Sequence, residues 1–284
     1  MKQGQWFPGS MAKAINHLRQ DLKIIDLVVE LLDARIPISS RNPSFNDLLA
    51  GKKHLMLLHK ADRADDLVTA SWLAYFNEQG TQAMAFSVHS KHYLNDLLRY
   101  LKEQEHNLRP TRIKRPLRMM FVGIPNVGKS TLINYFVHKA VTKTANRPGV
   151  TRGRQWIRIT PGLELLDTPG VLWPKHKEET ILPLALVAAM PSSVIESHDI
   201  AHWLLQFYLE QGKEEYLLKR YSSLRLDKPD KMLEQIAISQ GCLLTAGKVD
   251  LDRAAAIILR DFQSGALGRV TLEKPADLDQ ENDE

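Results

Sequence analysis

Four short apolar runs set the frame of the first half of the chain. Leu27–Leu32 is broken only by Glu30 and is followed by Asp33-Ala-Arg-Ile-Pro37. Its length and the nearby proline fit a buried parallel strand. Leu55–Leu58, Ala83–Val88 and Met119–Val122 repeat the signal. Between these runs the apolar spacing changes period. Residues 11–23 carry Met11, Ile15, Leu18 and Leu22 and read as a helix. Leu67–Asn77 reads as a second helix that stops at Gly80, Tyr93–Glu105 as a third and Ser130–His138 as a fourth. Ile157–Ile159 and Leu163–Leu166 are further short strands. Strands alternating with helices predict an α/β domain with a doubly wound, mostly parallel sheet. From Lys177 the strand signals fade. Helical periodicity takes over at about 178–190, 197–211, 213–221, 229–239 and 250–264. The reading is an α/β domain over 1–176, a small all-helical domain over 177–272 and an acidic, disordered tail over 273–284.

Length agrees with this division, since 284 residues are about two domains at roughly 150 residues each. Composition is that of a globular protein, 44% hydrophobic and 25% charged, which excludes a mainly disordered chain. The longest apolar run, Ile181–Met190, contains Pro183 and is far shorter than the roughly 18 residues of a membrane span. The first residues, MKQGQWFPGSMAKA, lack the apolar segment of a secretory signal. One cysteine, Cys242, leaves no internal disulfide and no multi-cysteine zinc site. A cytoplasmic protein with no membrane partner is the expectation, and a monomer.

Charge changes the picture through its distribution. The net of 38 − 33 = +5 is mild. Residues 109–118, however, hold five basic residues and no acid. Residues 139–158 hold Lys139, Lys143, Arg147, Arg152, Arg154 and Arg158, again with no acid. Such blocks suit a polyanionic partner, although a solvated surface explains either one alone. The last ten residues hold five acids and no base. Residues 106–116, polar and basic with two prolines, read as a linker or a long surface connection.

The sharpest chemical signal is Gly123-Ile-Pro-Asn126-Val127-Gly128-Lys129-Ser130, which matches G-x-x-x-x-G-K-[ST] between a strand and a helix. Glycines let backbone N–H groups wrap phosphates, and the helix N-terminus adds a favourable partial charge. Lys129 supplies a full charge to the β and γ phosphates, and Ser130 a hydroxyl to Mg²⁺; Thr131 follows in the same turn. Asp167-Thr-Pro-Gly170 ends the Leu163–Leu166 strand. Asp167 suits the second Mg²⁺ contact, and Gly170 can offer its N–H to a γ-phosphate. Thr151, between the two motifs, suits a Mg²⁺ contact that depends on the γ-phosphate; a plain turn residue is the other reading.

A phosphate loop does not choose a base. Guanine offers N1–H and N2–H₂ donors that one carboxylate accepts together. His59-Lys60-Ala61-Asp62 ends the second apolar run and resembles N-K-x-D with His59 in place of Asn. Asp62 would read N1 and N2, the Lys60 stem would cover the base plane, and His59 can donate near N7. His89-Ser90-Lys91, after the third run, resembles the S-A-K loop, whose backbone N–H contacts guanine O6. GTPases usually run phosphate loop, switch threonine, D-x-x-G, N-K-x-D, S-A-K. Here the base motifs come first and D-T-P-G last, a rotation that can still build one doubly wound sheet.

With that rotated order, Gln5-Trp6-Phe7-Pro8-Gly9, Asp33-Ala34-Arg35-Ile36-Pro37, Arg41-Asn42-Pro43, Gly241-Cys242-Leu243, Leu259-Arg260-Asp261-Phe262 and Gly265-Ala266-Leu267-Gly268-Arg269, the chain resembles the circularly permuted GTPases of the RbgA/YlqF family, ribosome biogenesis GTPase A. The resemblance spans nearly the whole chain except the acidic tail. It implies a circularly permuted Ras-like domain followed by a small helical, RNA-facing domain. It also implies GTP and GDP as ligands with Mg²⁺, a K⁺ site at Asn126, and late assembly of the large ribosomal subunit, with its precursor and rRNA as partners. Two departures stand out. His59 replaces the Asn of the base motif. Ser10 stands where the family carries a histidine after W-[FY]-P-G, and Val171 after D-x-x-G cannot orient water as a Gln would. Ser10 is a poor base near neutral pH, so hydrolysis is expected to be slow without a partner. A regulatory GTPase and a nucleotide-dependent ribosome-binding module with negligible turnover therefore both stay open. A metabolic ATPase or kinase shares the phosphate loop but leaves Asp62 and the motif order unexplained.

Overall fold

All seven residues of β1 (Leu27–Asp33) are buried, as expected of a strand flanked on both edges and covered on both faces. The computed structural model describes residues 16–42, 45–108, 115–141, 156–166, 178–190 and 195–276. Their order is α1 (16–22), β1, α2 (Phe45–Leu48), β2 (Lys53–His59), α3 (Asp66–Glu78), β3 (Gln82–Ala85), α4 (Lys91–Asn107), β4 (Leu117–Gly123), α5 (Lys129–Val141), β5 (Trp156–Thr160) and β6 (Leu163–Leu166). Then come α6 (Glu178–Leu186), α7 (Ser197–Glu210), α8 (Glu214–Arg220), α9 (Pro229–Ser239) and α10 (Leu251–Ser264).

The sheet order is β3-β2-β1-β4-β6-β5. Every neighbouring pair is parallel except β5 with β6. The chain winds outward from β1 through β2 to β3, then returns to the far side of β1 with β4. The switch point thus lies between β1 and β4, where open α/β sheets bind ligands at the carboxyl ends of their strands. On one face Val28, Met120, Val122 and Leu166 pack with Leu18, Leu22 and Phe45, while Leu32, Met56 and Leu58 pack with Trp72 and Phe76 of α3. On the other, Phe121 meets Phe136 of α5 with ring centroids 6.1 Å apart. Glu30, the one acid inside the first apolar run, stays buried with its Oε2 3.1 Å from His54 Nε2 of β2.

Two compact units result: the described residues of Met1–His176 with Thr271–Glu284, and those of Lys177–Val270. The second is all-helical apart from one isolated bridge, Leu243 with Val249. Its core gathers Leu204, Leu205 and Tyr208 of α7, Leu233 and Ile236 of α9, and Ile258 and Phe262 of α10. Tyr221 Oη donates to buried Asp261 (2.9 Å), which also pairs with Arg220 (2.8 Å). Gly268 sits at φ 83°, and a Cβ there would lie 2.3 Å from the Tyr216 ring, so this turn admits glycine alone.

Several boundaries differ from the sequence reading; the strand expected over Ala83–Val88, for instance, spans Gln82–Ala85. The helix expected over 178–190 ends at Leu186, because Ala188 takes φ 59° and Ala189 N–H turns back to the Leu184 carbonyl. The tail expected to be disordered from 273 is ordered in its first residues. Leu272 N–H donates to the Arg35 carbonyl, and the Glu273 carboxylate accepts from the backbone of Ile38 and Ser39. These contacts join residues 271–276 to the α/β unit rather than to the helical one, whose last residue is Val270. No helix among the described residues is long and apolar enough to cross a membrane.

Candidate functional site

The phosphate loop leaves β4 at Gly123, where a Cβ would lie 2.5 Å from the Leu31 carbonyl of β1. Only glycine permits that approach. Asn126 takes φ 57°, Val127 turns into the core, and Gly128 takes φ 113°. A Cβ on Gly128 would meet the His59 ring at 2.6 Å, so loop and ring pack directly. Lys129 opens α5 and is buried. Its Nζ donates to the carbonyls of Gly123 (2.9 Å) and Ile124 (2.7 Å), inside the curve of its own loop. Ser130 and Thr131 follow on the exposed side of the first turn.

The base loop leaves β2 at His59. Lys60 takes φ 62°, and Ala61–Arg63 form a short 3-10 turn that Ala61 N–H ties to the Phe86 carbonyl (3.1 Å). Lys60 Nζ reaches Asp33 Oδ2 (3.0 Å) and donates to the Asn126 carbonyl (2.9 Å). One side chain therefore bridges the end of β1, the base loop and the phosphate loop. Asp33 is fully buried and also holds Arg35 through Nε (2.9 Å) and Nη2 (2.8 Å). Burial opposes its charge, but Arg35 and Lys60 outweigh burial and hold the carboxyl well below the usual carboxylate range. Burial lowers Lys60, with Asp33 opposing.

His59, Lys60 and Asp62, His89 from the next loop, and Asn126, Gly128 and Thr131 from the phosphate loop line one cavity of about 200 Å³. Residues some 70 positions apart thus meet at the carboxyl edge of the sheet, beside the switch point. Asp62 is about a third exposed, with Arg63 Nε 3.7 Å away, so its carboxylate is open to a ligand. Ser90 and Lys91 contribute differently: Ser90 Oγ caps α4 by accepting from Tyr93 N–H (3.5 Å), and Lys91 is exposed at the first helical residue. Ser87, Val88 and Arg63 also line the cavity without having been singled out in the sequence. Ser10, Thr151, Asp167, Gly170 and Val171 lie outside the described residues.

His59 is the chemical oddity here. It is 4% exposed, its ring lies 5.3 Å from that of Phe86, and neither ring nitrogen has a hydrogen-bond partner among the described residues. Burial, aided by the Lys60 cation, pushes its pKa down to about 4 from 6.5. The folded state keeps the imidazole neutral while the unfolded chain protonates it, so stability is full above pH 6.5 and falls as pH drops toward 4. The shift corresponds to a loss of about 3 kcal/mol. Urea unfolding at pH 7 and pH 4.5 should show a smaller loss in His59→Asn than in the parent. Equal losses would mean that His59 does not titrate this way.

A glycine-lined phosphate cradle and an adjoining carboxylate loop, on a sheet whose phosphate-loop strand is fourth in the chain yet next to the first, define a circularly permuted P-loop GTPase. The comparisons agree. Residues 118–235 match the family model described as 50S ribosome-binding GTPase. Ribosome biogenesis GTPase A of Bacillus licheniformis is 42% identical, over 96% of this chain and 99% of that protein. The chain belongs to the ribosome biogenesis GTPase A family. Among solved structures, a GDP-bound TM YlqF superposes with a TM-score of 0.69 at 26% identity, covering 92% of this chain and 100% of that one. GNP-bound YlqF from T. maritima gives 0.68 at 27%, covering 93% and 98%.

Proposed function

We propose that this protein is a GTP-hydrolysing switch in late assembly of the large ribosomal subunit, binding the precursor particle and its rRNA in the GTP state. The observation that carries the guanine part is the shared cavity of Asp62 and the phosphate loop. Lys129 and the N–H groups of residues 126–131 would take the phosphates, Asp62 the base, and His59 and the His89 loop its remaining edge. The buried lysine and the glycine-shaped cradle fit a bound polyphosphate. Ser130, with Thr151 and Asp167, would hold Mg²⁺, which offsets phosphate charge. Gly170 would sense the γ-phosphate. Asn126, exposed in the loop, is assigned a K⁺ that stands in for an arginine finger. Ser10 and Val171 supply no good base or water-orienting amide, so turnover is slow until a ribosomal partner completes the site. The helical unit, residues 177–270, is the RNA-facing part, and it begins seven residues after Gly170 of the D-T-P-G segment. The protein works as a cytoplasmic monomer.

Two measurements test this reading. Asp62→Asn should weaken GTP binding and improve xanthosine triphosphate binding, because an amide pairs with the xanthine edge where a carboxylate pairs with guanine. Equal affinity of the unaltered protein for ATP and GTP would remove the guanine assignment. Co-sedimentation with large ribosomal subunits should be stronger with a GTP analogue than with GDP, and the particle should stimulate phosphate release. Nucleotide-independent co-sedimentation would refute the switch.

A further inference from the structure

The segment Thr271–Glu273 begins one residue after the helical unit ends and lies on the α/β unit. Its contacts fall on the loop after β1, which carries Asp33, and on the residues that follow the base loop. Toward the loop after β1, Leu272 N–H donates to the Arg35 carbonyl (2.8 Å). The Glu273 carboxylate accepts from Ile38 N–H (2.8 Å) and Ser39 N–H (3.2 Å). Toward the base loop, Thr271 Oγ1 accepts from Asp65 N–H (3.0 Å), three residues after Asp62. The Glu273 carbonyl accepts from Trp72 Nε1 of α3 (2.9 Å).

The loop after β1 is the one that carries Asp33. Asp33 N–H donates to Ser40 Oγ (3.0 Å), closing the loop at the residue next to Ser39. The Asp33 carboxylate holds Arg35 and Lys60, and Lys60 Nζ reaches the phosphate-loop carbonyl of Asn126. A continuous series of short polar contacts therefore runs from the Glu273 segment through Arg35, Asp33 and Lys60 to the phosphate loop. Thr271 also holds Asp65, three residues along the chain from Asp62.

We propose that Thr271–Glu273 is a strap that positions Lys60 and Asp62, so that the residence time of guanine nucleotide depends on residues lying beyond the helical unit in sequence. Glu273 is a positioning residue: it fixes the Ile38–Ser39 backbone, and through it the seat of Asp33. The helical unit is covalently joined to the α/β unit at both ends, at His176–Lys177 and at Val270–Thr271. A ligand that pulls on its second end acts on the base pocket directly, without passing through the γ-phosphate loop. This inference rests on the guanine assignment of the cavity.

The test is stopped-flow dissociation of a fluorescent GDP from the full-length protein with Mg²⁺. Glu273→Ala should raise the dissociation rate about tenfold with little change in association rate, since lost contacts act mainly on release. Thr271→Val keeps the side-chain shape, removes one acceptor, and should raise it roughly two- to threefold. A purely structural role for the strap would lower thermal stability and leave the nucleotide rates alone, and that result overturns the proposal. If Glu273→Ala does not fold, unchanged rates in Thr271→Val overturn it equally. Failure of the parent protein to bind GDP at all would instead refute the guanine assignment.

Discussion

Asp33→Asn should cost the α/β unit about 3–5 kcal/mol, the range for removing one partner of a buried ion pair. Asp33 is 0% exposed and Arg35 is 1% exposed, so neither can turn to water when the other changes. Asparagine keeps the volume but removes the charge. It leaves a buried guanidinium and a largely buried ammonium facing an amide, which has only one oxygen to offer them. Urea unfolding at pH 7 reads the loss as a lower midpoint with an unchanged slope. The pH dependence separates this pair from His59. The Asp33 carboxyl is depressed below its unfolded value of 3.8, so its contribution is complete above that value and is lost only in stronger acid. The His59 contribution is already falling between pH 6.5 and 4. Asp33→Asn combined with Arg35→Met removes the guanidinium left unpaired, although Lys60 still faces the amide, and should regain part of the stability. A single-variant loss below about 1 kcal/mol would show a solvated pair, as at exposed surfaces.

This network also marks where sequence reading stops. Gly123–Ser130 was legible because its residues act as one contiguous turn, and each type at each spacing has a local physical reason. His59–Asp62 was legible as a loop at the end of an apolar run, and its meeting with the phosphate loop followed from the order of the motifs. Asp33 and Arg35 stood out only within the family motif Asp33–Pro37, with no local physical reason for a buried ion pair, and their partner Lys60 lies on another strand end. The strap was further out of reach, since Glu273 and Ile38 are 235 positions apart. Composition misled there for a definite reason: the acidic run begins at Asp277, while Thr271–Ala276 holds a single acid. Averaging across that boundary made a docked segment look like a disordered tail. The early end of α6 was hidden because its left-handed residue is Ala188, where glycine or asparagine would have announced the stop.

Lys129→Ala should have the largest effect on nucleotide affinity. Its ammonium sits between the Gly123 and Ile124 carbonyls, 6% exposed, so little side-chain entropy remains to be lost on binding. Neutral carbonyls are modest partners for a buried cation. Phosphate oxygens are far better ones, because charge-assisted hydrogen bonds are roughly twice as strong as neutral ones. The position therefore suits a polyanion. Losing such contacts costs on the order of 3 kcal/mol, or about a hundredfold in Kd for GTP and GDP. Lys129→Arg keeps the charge but needs more space than the loop allows, and should recover only part of the affinity. Thermal melting without nucleotide separates binding from folding. The alanine variant should melt near the parent, since it removes a desolvated charge along with its hydrogen bonds, but should lose most of the parent's stabilisation by added GDP. Titration with a fluorescent GDP gives the affinity directly. If the variant binds as tightly as the parent, the phosphates do not lie in this loop, and the cavity beside it belongs to another ligand.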